Sequence, residues 1–202
     1  RTGNYLAFFP SYRFLEEVWE AFMELPQEQI EVAVQSQYMT EQEREEFLKK
    51  FEQERAHSLI GFCVMGGIFS EGIDLTEDKL IGAMIIGTGL PQVCLERELL
   101  KYYFDRKNLN GFDYAYLYPG MNKVMQAAGR VIRTIRDKGV IALLDDRFLK
   151  SDYQALFPRE WERYTVVNRR NVRRAVADFW EHLGNETPGV PKGDLQTDLK
   201  TP

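Results

Sequence analysis

Gln126, Arg130 and Arg133, within the stretch QAAGRVIRT, are the residues whose types and spacing most clearly offer chemistry. Read as a helix, the segment puts residues three and four apart on one face. The three side chains then form one polar stripe beside the apolar Val124, Ala127, Ala128, Val131 and Ile132. A guanidinium is a planar fork of donors that suits phosphate oxygens, and the Gln126 amide adds neutral donors one turn earlier. A surface arginine pair is ordinarily solvated or ion-paired. Here the apolar flanks leave little room for a freely solvated face. A glycine inside a helix costs about 1 kcal/mol against alanine, so Gly129 implies that another element packs against that turn. The expectation is a pair of arginines held against phosphate.

A phosphate cradle to go with them is missing. No G-x-x-x-x-G-K-[ST] occurs, and no acid pair of the metal-holding kind follows a strand. The stripe therefore reads as half of an active site. Three further stretches carry loop chemistry. In GGIFSEGIDL, Gly66, Gly67 and Gly72 permit unusual backbone, with Glu71 and Asp74 beside them; the plain alternative is a glycine-containing loop with capping acids. In FFPSYRFLEEV, a strand runs into Ser11-Tyr12 at a helix start, where backbone N–H groups and two hydroxyls suit a phosphate, although Ser11 as a simple N-cap accounts for the pattern equally well. GTGLPQ follows another strand. Ser70, Asp145 or Asp146, and His182 also occur in the chain order of an α/β-hydrolase triad. The nucleophile elbow needs G-x-S-x-G, however, and Ile68 stands where its first glycine belongs.

The elements that must position these groups alternate. NYLAFF, IEVAVQS, LIGFCVM, IGAMIIG and the apolar part of KGVIALLDDRF read as strands. Between and after them lie amphipathic segments over 11–24 and 92–107, a charged helix opening on Thr40 with Glu43 as a capping box, the motif helix over 120–136, and a final helix NRRNVRRAVADFWEHL. Strands alternating with helices imply a parallel sheet covered on both faces, whose ligands sit at the carboxyl ends of the strands. One α/β domain is expected over 1–183, with 184–202, rich in Gly, Pro and polar residues, as a flexible tail. The basic face of the final helix, Arg169, Arg170, Arg173 and Arg174, reads as either solvated or a docking surface.

At 202 residues the chain can bury a sizeable core. A net charge of −5 argues against a wholly basic nucleic-acid-binding surface while leaving room for a local groove. The apolar runs are too short to span a bilayer, so no membrane association is expected. Cys63 and Cys94 lie in apolar settings and read as reduced thiols, hence a cytoplasmic setting. With only His57 and His182 beside them, no metal site is expected. The sequence opens in a strand without an initiator methionine, which suggests a piece of a longer chain.

Taken in order, NYLAFFPSYRFLEEV, GGIFSEGIDL, IIGTGLPQ, QAAGRVIRT and GVIALLDDRF resemble helicase motifs IV, V and VI, with their flanks, of the XPD/DinG (Rad3-like) family of superfamily 2 DNA helicases, over about residues 3–165. The resemblance implies a RecA-like three-layer domain, the C-terminal motor half of a 5′-to-3′ ATP-dependent DNA helicase. It implies ATP with Mg²⁺ as ligand, the P-loop and the Mg²⁺ ligands belonging to an N-terminal domain of the same chain, so that this segment alone is inactive. Arg130 and Arg133 would act as arginine fingers with Gln126 near the γ-phosphate or the attacking water; Glu71, Gly72 and Asp74 would line the nucleotide cleft; Ser11, Tyr12 and Ser70 would contact single-stranded or forked DNA. Many members carry an iron–sulfur cluster on four cysteines of the first motor domain. Cys63 and Cys94 do not match that set, so any cluster belongs to the parent chain. The setting would be cytoplasmic, at the nucleoid in a bacterium, or nuclear in a eukaryote. The alternative is a non-catalytic helicase-like module for docking or nucleic-acid binding, its arginines vestigial.

Overall fold

Five short apolar runs pair side by side into an all-parallel sheet of order β2-β3-β1-β4-β5. They are β1 (Asn4–Phe9), β2 (Ile30–Val34), β3 (Ser58–Val64), β4 (Gly82–Ile86) and β5 (Val140–Leu144). The structure is a computed structural model and describes residues 1–26, 29–70, 75, 79–133 and 137–185. Parallel neighbours cannot be joined by hairpins and need crossovers. These are supplied by α1 (Tyr12–Met23), α2 (Glu41–Glu52), α3 (Leu95–Asp105) and α4 (Tyr118–Ala128). After β5 come two single 3₁₀ turns, the short α5 (Ser151–Gln154) and α6 (Val172–Asn185).

β1 lies at the centre and shows why the sheet needs two covered faces. Leu6 and Phe8 enter a core with Phe47 and Phe51 of α2 and Met121, Val124, Ala127 and Ala128 of α4. Ala7 and Phe9 enter a second core against Leu15, Val18 and Phe22 of α1. Each fully buried side chain of this size contributes roughly 1.5–3 kcal/mol. The result is the three-layer α/β arrangement expected of the sequence. The helix starts follow local chemistry: Ser11 Oγ accepts from the Phe14 amide at 3.2 Å, and Thr40 with Glu43 forms the expected capping box.

The described residues fall into two units, Thr2–Arg163 and 164–185 together with Arg1. The sheet and all the crossovers lie in the first, which closes at Arg163; α6, drawn into the 1–183 domain by the sequence reading, lies in the second. Among the described residues no helix is long and apolar enough to cross a membrane.

The motif helix differs from the reading over 120–136. It begins earlier, behind a π-helical turn at Asp113–Leu117, and it ends at Ala128 with Gly129 as C-cap. Beyond the cap the ladder tightens: the Arg130 amide donates to the Ala127 carbonyl at 3.2 Å and the Val131 amide to that of Ala128 at 3.1 Å. These i-to-i−3 bonds are how a helix end satisfies its last carbonyls. Gly129 is therefore a terminator and not an interior glycine under another element. It is exposed, and a Cβ there would meet only carbonyls of its own helix, the nearer being Met125 at 3.2 Å.

Candidate functional site

At the carboxyl edge of the sheet, the ends of β1, β3 and β4 meet the starts of α1 and α4. An open pocket of about 270 Å³ lies there, lined chiefly by Pro10, Ser11 and Tyr12 after β1, by Gly89–Gln92 after β4, and by Lys123 of α4. A chain of hydrogen bonds fixes Tyr12. The Val64 amide, at the end of β3, donates to Gln35 Oε1 at 2.9 Å. Gln35 Nε2 in turn donates to the Tyr12 hydroxyl oxygen at 2.8 Å. The tyrosine oxygen is thus engaged as acceptor, which leaves its own proton to donate. Burial holds the Tyr12 pKa above its ordinary value, so that proton stays on.

Ser70 serves the same edge from beneath. It is fully buried. Its hydroxyl donates to the Val64 carbonyl at 3.2 Å and accepts from the Gly66 amide at 2.9 Å, closing the turn after β3. A hydroxyl with both roles taken and no exposure is not offered to a ligand, and it rules out Ser70 as the nucleophile of a hydrolase elbow. Glu71, Gly72 and Asp74, the sequence candidates for the nucleotide cleft, lie outside the described residues.

α4 is clamped at this edge by backbone contact. A Cβ on Gly120 would lie 2.7 Å from the Thr88 carbonyl oxygen and 3.1 Å from the Leu90 amide nitrogen, so only glycine lets the helix start this close to the loop. From there the helix runs to the opposite edge. Val131, just past its end, packs beneath Gly139, beside the Ile81 carbonyl at the amino end of β4. Ten residues at about 1.5 Å each separate Gly120 from Arg130, roughly 15 Å.

Gln126, Arg130 and Arg133 consequently do not form one helical stripe. Gln126 is exposed in the last turn of α4, and the half-buried Arg130 and Arg133 follow the cap in the irregular segment that leads to β5. The physical reason is Gly129, which stops the 3.6-residue period between Gln126 and the arginines. That segment is held by its backbone: the Arg133 amide donates to Asp137 Oδ2 at 2.8 Å. After β5, Asp145 takes a two-pronged bond from Arg147, at 2.8 Å from Nε and 2.7 Å from Nη2, and the guanidinium holds its carboxyl below the usual range.

Sequence reasoning missed two residues of this edge. Gln35, 2% exposed, looked like the polar end of a strand. Its signal was an amide directly after the apolar run Val32-Ala33-Val34, where only a partnered polar group survives burial. Lys123 was passed over although it stands three residues before Gln126, at helical spacing. Among the described residues no three His, Cys, Asp or Glu side chains gather in a way that would hold a metal ion.

Comparison with known proteins bears on the whole of this unit. The family model of the helicase C-terminal domain matches residues 1–164. The chain is 31% identical over 203 residues to the regulator of telomere elongation helicase 1 homolog of Anopheles gambiae, covering 90% of this chain and 20% of that protein. It is 28% identical over 162 residues to the 3′-5′ exonuclease DinG of Staphylococcus saprophyticus, covering 79% of this chain and 17% of the relative. Against the ATP-dependent DNA helicase CHL1 of Candida glabrata it is 27% identical over 208 residues, covering 92% and 24%. The chain thus spans about a fifth of the length of the curated relatives it matches. A solved XPD structure in its apo form superposes with a TM-score of 0.57 at 24% identity, over 76% of this chain and 30% of that one, a likeness of fold.

Proposed function

The chain belongs to the helicase C-terminal domain family, in its XPD- and DinG-like branch, and on that premise we propose that it is the second motor domain of an ATP-dependent DNA helicase, completing an ATP site whose P-loop lies on another domain of the full-length protein. Arg130 and Arg133 then act across the interdomain cleft as arginine fingers on the β- and γ-phosphates, with Gln126 beside the γ-phosphate or the attacking water. Glu71, Gly72 and Asp74 line the same cleft. Ser11 and Tyr12 meet the phosphates of a single strand or fork, and Ser70 serves that contact by holding the turn beneath it. Opening and closing of the cleft drives a 5′-to-3′ motion along the strand.

The observation that carries the reading is the break at Gly129. It takes both arginines off the helix into an irregular, half-buried segment whose backbone is held by Asp137. Nothing about a solvated helix face calls for such a stop.

Hydrolysis of ATP stimulated by single-stranded DNA tests it, measured on the full-length protein against Arg130→Ala and Arg133→Ala. A finger of this kind is worth about 10³–10⁵ in rate. A loss of that order with strand binding retained is expected, together with no hydrolysis by the 202-residue chain alone. Unchanged hydrolysis in both variants would leave a helicase-like docking module with vestigial arginines.

A further inference from the structure

Lys123 occupies a place that the motifs do not account for. It lies on α4, half-buried, and lines the carboxyl-edge pocket with Ser11, Tyr12 and Gln92. Its stem runs between two loops. A Cβ on Gly66 would stand 3.3 Å from its Cδ and Cε, and one on Gly89 would stand 3.4 Å from its Cβ. Both glycines have positive φ, +70° and +64°, a conformation side chains rarely adopt. The two loops after β3 and β4 therefore leave a channel just wide enough for an aliphatic stem. Among the described residues no carboxylate pairs with its ammonium group. Holding the stem of a lysine without neutralising its head places a cation at the pocket and removes part of the entropy of ordering a long side chain.

The rest of the pocket says what the cation meets. The start of α1 presents the Tyr12 and Arg13 amides, which the Ser11 cap does not use, because it accepts from Phe14. The Tyr12 hydroxyl has its proton free to donate, by virtue of Gln35. Pro10, Met65, Leu90 and Pro91 add an apolar lining. One lysine, two backbone donors and one hydroxyl match a group of a single negative charge with several acceptor oxygens. A nucleoside triphosphate carries several charges and wants several cations, whereas a phosphodiester carries one and brings a sugar and a base for the apolar wall. At about 270 Å³ the pocket takes a segment of one nucleotide and not a whole cofactor.

We propose that Lys123 binds one backbone phosphate of a single DNA strand in this pocket, together with Tyr12 and the start of α1. The proposal rests on the helicase reading above and adds to it a residue outside the motifs. It also puts the strand contact on the helix whose end releases Arg130, so that one rigid element of about three turns joins the strand pocket to the arginines.

Binding of a short oligothymidine to the full-length protein, without ATP and over about 50–200 mM salt, tests it. Lys123→Met keeps an unbranched stem in the channel and removes the charge; Lys123→Arg restores a cation. Each phosphate neutralised on a single strand contributes a salt slope of about 0.7. Lys123→Met should lose that much slope and bind about fivefold more weakly at 0.1 M salt, with Lys123→Arg close to the native protein. Native affinity and slope in Lys123→Met overturn the proposal, as does weaker binding with an unaltered slope that Lys123→Arg fails to restore, the mark of a stem that only fills space. So does a loss confined to ATP affinity, which would give the pocket to the nucleotide. Failure of the helicase reading looks different: the native protein itself would then bind no single strand.

Discussion

The two ends of α4 are built on opposite principles. At its start, Gly120 brings the helix backbone into contact with the Thr88–Leu90 loop, and the pocket beside it is tied by Gln35, Tyr12 and the Ser70 turn. At its finish, Gly129 is exposed and merely ends the ladder, and the chain beyond it is held at the Arg133 amide and by the buried Val131. Two glycines on one helix thus do different work. The first permits close approach and the second permits a stop. A pocket that must keep its shape is clamped by close contacts throughout. If the arginines reach a ligand on another domain, as proposed, a short irregular segment on a fixed anchor serves them better than a helix face.

Gly120→Val should break the first end. Its Cβ meets backbone atoms at 2.7 and 3.1 Å, and a peptide cannot swing aside as a flexible side chain can. A cost of about 3 kcal/mol is expected, at the upper end of overpacking penalties, or a fall in Tm of roughly 6–12 °C for a domain of this size. Thermal unfolding followed by circular dichroism measures it. A Tm within a degree or two of native would mean that the loop slides freely over α4, and the contrast between the ends would vanish.

Gln35→Leu sharpens the same end at lower cost. The buried Val64 amide and the Tyr12 hydroxyl both lose a partner. An unmade buried hydrogen bond costs about 1–3 kcal/mol, and the added apolar burial of leucine offsets part of it. A net loss of about 2 kcal/mol in urea unfolding is expected, with an unchanged m-value. A neutral result would show that the Gln35 relay is incidental and that Tyr12 is positioned by packing alone.

What the sequence disclosed follows the same division. The five strands were legible because a parallel sheet buried on both faces demands continuous apolar runs, as in Asn4–Phe9. The α2 start was legible because Thr40 and Glu43 satisfy each other locally. The end of α4 was not, because Val131 and Ile132 continue the apolar period across the stop, and Gly129 keeps ordinary helical φ of −65° without the left-handed turn that marks many helix ends. The π-helical turn at Asp113–Leu117 adds a residue to the ladder without a compositional sign. Of the carboxyl-edge pocket, Ser11 and Tyr12 after β1 were singled out by type and spacing, whereas Ser70 after β3 proves to be a buried brace of its turn. Gln35 and Lys123 were not singled out, since their meaning comes from groups far away in sequence: Val64 and Tyr12 for the first, Gly66 and Gly89 for the second.

Gly129→Ala is the smallest perturbation and separates fold from function most cleanly. The backbone is already helical there, so alanine fits without strain. Its Cβ would meet the Met125 carbonyl oxygen at 3.2 Å, a contact that the helix end can relax by a few tenths of an ångström. Glycine-to-alanine at a compatible site stabilises by about 0.4–1 kcal/mol, through the unfolded chain. A rise in Tm of roughly 1–4 °C is therefore expected. A fall instead would mean that Gly129 is packed from outside, as the helix-interior reading supposed. If stability rises while DNA-stimulated hydrolysis in the full-length protein drops, the reason for glycine lies in the nucleotide cleft: alanine would extend the helix past the point where Arg130 must leave it.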